Sequence, residues 1–374
     1  MEKVHVGIIG GGLMGQEAAA AFARWFMLKD FPVQPVLRAI CDTNEAVLSW
    51  YRNIPTVASF ETDYKNLLAD ESIDVVYAAL PHHLHQQVYT DVLLAGKDLI
   101  AEKPFGIDRD AARTIVATAQ KKGRFVRCSS EFPYMPAAQQ LISELKPEVL
   151  GRIIGIKAGF LHSSDLDPLK PLNWKRQSAY CGAIGVMGDL GMHVMHIPLR
   201  MHWKPATVYA QLQKIITKRP DGKGGWGECD TWNNAVLQLG IFDEGETIPM
   251  TVELKRLAPG ETNTWYLEVY GTKTSLKYST SDTKAYWCYS PVDKAWQRKE
   301  VGLGGMAFPV ASGGIFEPGF PDCFQQMLAA YFAERAGFLN GRFGCVTSEE
   351  AWFSHTIFSA ALTSSNNNAV VKIE

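Results

Sequence analysis

The sequence is short of the features that would mark a secreted, membrane-bound or nucleic-acid-binding chain. Its seven cysteines, Cys41, Cys128, Cys181, Cys229, Cys288, Cys323 and Cys345, are scattered, odd in number and free of any C-x-x-C pair. That excludes a disulfide framework and a cysteine zinc cage, and it fits a reducing cytoplasm. Long apolar runs are missing, so no segment reads as a bilayer span. An excess of one charge is missing too: 37 Lys and Arg face 39 Asp and Glu, a net charge of -2. Neutralising nucleic-acid phosphates needs a basic surface, and no run of like charge is present to recruit a membrane. The strand expected from Val4 leaves no room for a signal peptide after Met1, which again points to the cytoplasm.

What is present is globular composition over 374 residues, 47% of them hydrophobic, enough for two domains that each bury a core. Val4–Ile9, Val36–Cys41, Asp74–Leu80, Asp98–Ala101 and Phe125–Cys128 are β-branched runs that read as strands. Met14–Leu28, Leu84–Ala95 and Arg109–Lys121 read as helices between them. Near-continuous apolar strands alternating with helices specify an α/β, doubly wound parallel sheet covered on both faces. After Ser129 the pattern changes. Gly151–Phe160, Ala206–Thr217, Ala235–Ile241, Met250–Leu257, Trp265–Tyr270 and Leu276–Thr280 follow one another as strands with few long helices. They predict a second, α+β domain with a large, mostly antiparallel sheet, joined by helices over Gly182–Leu199, Phe324–Gly337 and Ser348–Ser364. Thr347 and Glu350 form a capping box for the last of these. The glycine-rich stretches Asp221–Gly227 and Gly302–Gly314 read as loops of the kind that often sit over a site. The expected domains are 1–128 and 129–374.

Gly10-Gly11-Gly12-Leu13-Met14-Gly15 satisfies G-x-G-x-x-G, a weak motif alone. Here it follows a predicted strand and opens a predicted helix, the context of a dinucleotide-binding Rossmann turn. Gly10 permits the turn, Gly12 admits a pyrophosphate, and Gly15 allows helix and strand to pack closely. The amino terminus of the helix, from Leu13 and Met14, offers free N–H groups and partial positive charge to the phosphates. Asp42 ends the second strand roughly 27 residues after Gly15, beyond the usual spacing of about 20. The Asp30–Pro35 turn accounts for the excess. A carboxylate there accepts from ribose hydroxyls and repels a 2′-phosphate, so NAD is expected over NADP.

Further on stand Pro81-His82-His83-Leu84-His85, Ala95-Gly96-Lys97 and Glu102-Lys103-Pro104. Beyond them come Leu150-Gly151-Arg152-Ile153, Gly188-Asp189-Leu190-Gly191-Met192-His193, Asp230-Thr231-Trp232 and Val346-Thr347-Ser348-Glu349-Glu350. This ordered set, running the length of the chain, resembles the glucose–fructose oxidoreductase / inositol dehydrogenase (Gfo/Idh/MocA) family. The departures are His196 three residues after His193, where many members have aspartate, a diluted glycine run at Cys181–Gly185, and Ser130-Glu131-Phe132-Pro133-Tyr134-Met135-Pro136 in place of an arginine-containing turn.

The resemblance implies hydride transfer between NAD and a hydroxyl or ketone of a sugar, glycoside or cyclitol. It implies that Lys103 bonds the reacting hydroxyl, that His193 accepts its proton, and that Asp189 binds substrate or orients the imidazole. Asp189 and His193, four apart, share a helix face. Pro81, His82, His85, Glu102 and Lys103 are expected along the cofactor, with Pro104 fixing the backbone through a cis bond. Trp174 and Tyr180 are expected against the substrate. A second enzyme class fits the same residues: a glycosidase that oxidises, eliminates and re-reduces while keeping NAD bound. A non-catalytic NAD sensor would have no need of Lys103, Asp189 and His193. His193 and His196, with His202 nearby, have ligand-like spacing, but zinc needs three or four convergent ligands and no metal is expected. The unpartnered sheet face predicts a homodimer or homotetramer.

Overall fold

A computed structural model describes residues 1–243, 245–302, 306–313 and 317–374. The first sheet is built from β1 (Glu2–Ile9), β2 (Val33–Cys41), β3 (Ser59–Glu61), β4 (Val75–Ala78), β5 (Asp98–Ala101) and β6 (Val126–Cys128), all parallel. Every residue of β4 and β5 is buried, as strands covered on both faces must be. Between them run α1 (Leu13–Ala23), α2 (Glu45–Tyr51), α3 (Tyr64–Ala69), α4 (His85–Leu94) and α5 (Arg109–Lys122). The residues of α5 show why it forms where it does. Asp108 accepts from the Ala111 N–H at its start, Lys121 and Lys122 lie in its last turn, and Gly123 takes the left-handed φ of 59° that ends it.

The second domain opens with α6 (Pro136–Glu144) and the single-turn segments α7 (Pro147–Leu150) and, further on, α8 (Ser178–Cys181). A π-helical stretch at Met187–Gly191 runs straight into α9 (Met192–Arg200). The main strands are β7 (Ile153–Leu161), β8 (Pro205–Gln213), β11 (Asn234–Asp243), β12 (Glu246–Lys255), β13 (Thr264–Gly271), β14 (Ser275–Ser279), β15 (Ala285–Ser290) and β16 (Ala295–Glu300). A separate two-stranded hairpin pairs β9 (Lys218–Pro220) with β10 (Trp226–Glu228). The chain finishes with α10 (Phe320–Arg335), β17 (Val346–Thr347), α11 (Ser348–Asn367) and β18 (Val371–Lys372).

The second sheet has nine strands in the order β16-β15-β14-β13-β7-β12-β11-β8-β18, antiparallel except where β7 meets β12. Alternate residues point one way: Ala235, Leu237, Leu239 and Ile241 on β11, and Ile248, Met250, Val252 and Leu254 on β12, are buried against the helices. Gln238, on the opposite face of β11, is exposed. The Thr347 hydroxyl and Glu350 carboxylate cap α11 reciprocally, as their spacing predicts.

Several expectations change in detail. The helix expected over Met14–Leu28 ends at Ala23, because Trp25 turns into the core and donates its indole N–H to the Val33 carbonyl. The helix expected over Gly182–Leu199 begins only after Gly185, since Gly182 and Gly185 take φ of 85° and 54°. The Asp221–Gly227 stretch joins β9 to β10 as a tight turn and does not line the site cavity. The Gly302–Gly314 stretch lies partly outside the described residues; the part at Pro309–Ala311 pairs with Met27–Lys29. The chain after residue 129 is not confined to the second sheet. β17 adds an antiparallel edge strand to the first sheet beside β6, and the Gln325 side chain of α10 donates to the carbonyls of Ala21 and Arg24.

Candidate active site

The carboxyl end of a parallel sheet is where a doubly wound fold places ligands, and the main cavity opens there. It holds about 750 Å³ between the two domains. The first domain contributes Gly12, Leu13, Met14, Pro81, His82, Glu102, Lys103 and Glu131; the second contributes His162, Trp174, Lys175, Asp189, His193 and Asn263, among others.

The glycine turn meets the demands of a dinucleotide. Gly10 has φ of 96°, and a Cβ there would lie 2.0 Å from the Ala79 carbonyl oxygen. A Cβ on Gly15 would lie 2.2 Å from the Gly10 oxygen, so this contact of turn and helix requires glycine. Around Gly12 the finding is the reverse: a Cβ would meet nothing within 4 Å, leaving open space at the unbonded N–H end of α1. Leu13 stands 74% exposed over that space. Asp42 reaches back from β2, one carboxylate oxygen accepting from the Gly11 N–H at 2.9 Å and the other from Asn44. These residues fit NAD.

At the seam of the domains, Lys103 Nζ donates to the Asp189 carbonyl at 2.9 Å and to its Oδ1 at 3.1 Å. Lys175 Nζ reaches the same Oδ1 at 3.1 Å, and the Arg256 guanidinium, fully buried, reaches Oδ2 at 3.2 Å. Burial alone would raise the Asp189 pKa, but Lys175, Lys103 and Arg256 outweigh it and hold it well below the usual carboxylate range. Burial alone would lower that of Lys103; the carboxylates of Asp189 and Glu102 outweigh it and raise it above its ordinary value. Asp189 favours the charge on Lys175, yet burial together with Lys103 and Arg256 leaves that lysine below its ordinary value. Lys103 is therefore a fixed cation.

His193 is 3% exposed, with the rings of Phe132 and Phe160 edge-on at 5.3 and 5.8 Å. Its carbonyl accepts from the Trp265 indole, while its Nδ1 is buried without a hydrogen-bond partner. Burial and the Lys103 charge hold its pKa well below the ordinary value, so the ring is neutral and able to accept a proton. Asp189 and His193 line one cavity, but the carboxylate bonds the cations and does not orient the imidazole. The π-helical turn widens the backbone at Asp189, a geometry frequent at functional sites.

Other expected site residues fall in different places. His82 lines the cavity beside Trp174, ring centroids 4.7 Å apart, with Nδ1 against the Cys181 carbonyl at 3.2 Å. Glu102 accepts from the Tyr77 hydroxyl and the Lys103 N–H. The Lys103–Pro104 peptide is cis. His85 is not a cavity residue. It opens α4 with its ring turned inward, fully buried and stacked on Tyr89, with nitrogens 2.7 and 2.8 Å from the carbonyls of Pro104 and Leu80. It braces the segments that carry Lys103 and Pro81. Tyr180 also leaves the cavity: α8 turns Cys181 inward, and Tyr180 points out, 42% exposed, against His83.

Sequence reasoning missed Lys175, Arg256, Glu131 and His162. Lys175 adjoins Trp174 and was within reach; Arg256 follows the last residue of β12 with no motif to mark it. Among the described residues no group of three or more His, Cys, Asp or Glu side chains is placed to hold a metal ion. His196 packs instead against Phe343. No described helix is long and apolar enough to cross a membrane.

Comparison with known proteins gives concordant results. Residues 4–130 match the oxidoreductase family with an NAD-binding Rossmann fold, GFO_IDH_MocA. Levoglucosan dehydrogenase of Pseudarthrobacter phenanthrenivorans is 26% identical over 290 residues, 75% of this chain and 74% of that protein. Glycosyl hydrolase family 109 protein 1 of Shewanella sp. is 25% identical over 171 residues, 43% of this chain and 36% of that protein. A solved levoglucosan dehydrogenase in complex with NADH and L-sorbose superposes with a TM-score of 0.88, covering 100% of both chains at 22% identity, a likeness of fold.

Proposed function

The chain belongs to the Gfo/Idh/MocA family of NAD-binding oxidoreductases, and on that premise we propose that it is a dehydrogenase moving a hydride between NAD and a secondary hydroxyl, or the matching ketone, of a sugar, glycoside or cyclitol. The observation that carries this reading is the Lys103–Asp189 contact across the domain seam, with neutral His193 in the same cavity. Residues 1–128 serve as the NAD-binding unit and 129–374 as the substrate-binding and oligomerisation unit. Gly10, Gly12, Leu13, Met14 and Gly15 receive the pyrophosphate and Asp42 the adenosine ribose; Pro81, His82 and Glu102 flank the nicotinamide end. NAD supplies the acceptor for the carbon-bound hydrogen and its electron pair.

The protein's own groups manage the hydroxyl. Lys103, held as a cation, donates to the substrate oxygen and stabilises negative charge as it develops there. His193, held neutral, takes the hydroxyl proton. Asp189 keeps Lys103 charged and aimed, and Lys175 adds a second donor beside it. Trp174 offers a flat face to the sugar ring. Support for a carbohydrate substrate comes from the likeness to levoglucosan dehydrogenase over three quarters of the chain. Free cysteines throughout support a cytoplasmic setting, and the open face of the nine-stranded sheet supports a homodimer or homotetramer.

The test is a panel of neutral sugars, glycosides and cyclitols with purified protein, following NADH formation. Net NADH with at least one sugar is expected. Release of an aglycone from an aryl glycoside without net NADH would move the protein to the redox-glycosidase reading, which the partial glycosyl hydrolase likeness favours. Neither reaction across the panel would sink both.

A further inference from the structure

Glu131 belongs to none of the motifs that mark the site, yet it is one of the most unusual groups in the cavity. It sits in the turn that follows β6, where an arginine-containing turn was expected, and its side chain is 9% exposed. Its Oε2 lies 3.8 Å from His193 Nδ1, the buried nitrogen that has no hydrogen-bond partner. Among the described residues that imidazole is the only base within ion-pair distance of the Glu131 carboxylate. A carboxyl buried without a cation is costly to ionise. Burial, then the neighbouring Glu102, push its pKa up to about 7, with Lys103 acting in the opposite direction. Glu102 and Lys103 at the end of β5, His193 on α9, Tyr77 on β4 and Cys323 on α10 are the titratable groups that act on it or feel its charge.

We propose that Glu131 is the proton-holding partner of His193, completing a relay from the substrate hydroxyl through the imidazole to a buried carboxylate. This rests on the dehydrogenase reading above. In the oxidative direction the carbon-bound hydrogen and its electron pair pass to NAD⁺. The hydroxyl proton passes to His193 on its cavity side, and the proton on the Nδ1 side passes to the Glu131 carboxylate. The products are a ketone, NADH, neutral His193 and a protonated Glu131 that later releases its proton to solvent; in reduction the same steps run backwards. The 3.8 Å gap closes on substrate binding, as catalytic hydrogen bonds commonly do. His193 alone is a poor store for the proton, since its surroundings disfavour imidazolium; a carboxylate facing it removes that obstacle. Glu131 acts through His193 and is a positioning residue rather than a catalytic one.

The test uses the full chain with Glu131→Gln and Glu131→Asp. Difference infrared spectroscopy of the protein without substrate should show a carboxylic acid C=O band that disappears as pH rises through about 7. The band should be missing from Glu131→Gln. With a turned-over sugar, Glu131→Gln should lower kcat by about a hundredfold and lose the limb of the kcat/KM profile near neutral pH, with KM and NAD affinity within about threefold. Glu131→Asp, should the glutamine variant misfold, should retain the limb at reduced rate. An unchanged profile and kcat in Glu131→Gln would overturn the relay, as would a wild-type spectrum with no such band. Failure of every sugar with wild-type protein would strike the dehydrogenase reading and leave the infrared result standing on its own.

Discussion

Lys103 and Asp189 meet across the two domains, Nζ to Oδ1, at 3.1 Å. One comes from the end of a parallel strand and the other from a π-helical turn 86 residues later, so the contact exists only when both domains are folded and docked. Removing the lysine leaves the glycine turn untouched. Lys103→Ala and His193→Ala should each reduce kcat by roughly 10²–10⁴ while NAD affinity stays within a few-fold. The double variant should be little worse than either single one, because groups acting as a unit are not additive. Steady-state kinetics on the three variants checks this; near-wild-type kcat in one single variant removes that residue from the mechanism.

Asp42 carries the cofactor preference. Asp42→Ala should weaken NAD binding by on the order of tenfold, the worth of a hydrogen bond to a charged group. Part of that loss will come from the Gly11 turn, which Asp42 also holds. The ratio of NAD to NADP affinity separates the two effects and should fall. Titration showing that the wild type prefers NADP would contradict the role assigned to Asp42.

Two histidines away from the cavity set the acid limb of stability. His196 and His355 are buried with both ring nitrogens unpartnered, and burial pushes each pKa down to about 3. Their folded values lie below the unfolded value near 6.5, so the unfolded chain binds more protons as pH falls. Stability is complete above about pH 6.5 and is lost progressively between there and about pH 3, by about 1.4 kcal/mol per pH unit for each group. His355→Leu should flatten the dependence of Tm on pH in that window. An identical slope in the variant would show that His355 does not contribute.

Arg200 clamps the carboxy-terminal segment. Its guanidinium bonds both oxygens of Glu350 at 2.7 and 2.9 Å and the Cys345 carbonyl. Glu350 at the same time caps α11 through the Thr347 N–H. Arg200→Ala leaves that carboxylate largely buried and unpaired, and should cost roughly 3 kcal/mol. Urea denaturation measures it; a change below about 1 kcal/mol would place the pair among surface-like contacts.

The architecture was legible where long apolar periodicity dominates. β4, β5 and α5 appear within a few residues of their expected bounds because burial on both faces, or a cap at each end, leaves a strong local mark. Short elements left none. β3 and β17, three and two residues long, are strands only because a neighbouring strand pairs with them. The site divides in the same way. Lys103, Asp189 and His193 stand in motifs whose order resembles a family. Arg256 and Glu131 reach the cavity through topology, and nothing in their flanking residues reports it. Tyr180 misled by adjacency, since residues next to one another on a helical turn face different directions.

The late arrival of β17 bears on how the protein is made. Until Val346 and Thr347 have been synthesised, β6 is the bare edge of a parallel sheet, with unpaired backbone groups open to any extended chain. The surface of α1 that meets α10 is uncovered over the same interval. A nascent or truncated chain ending near residue 130 thus presents both a sticky edge and an apolar face. Holding chaperones during translation, and proteolysis of incomplete chains, are the processes to which this order of synthesis exposes it.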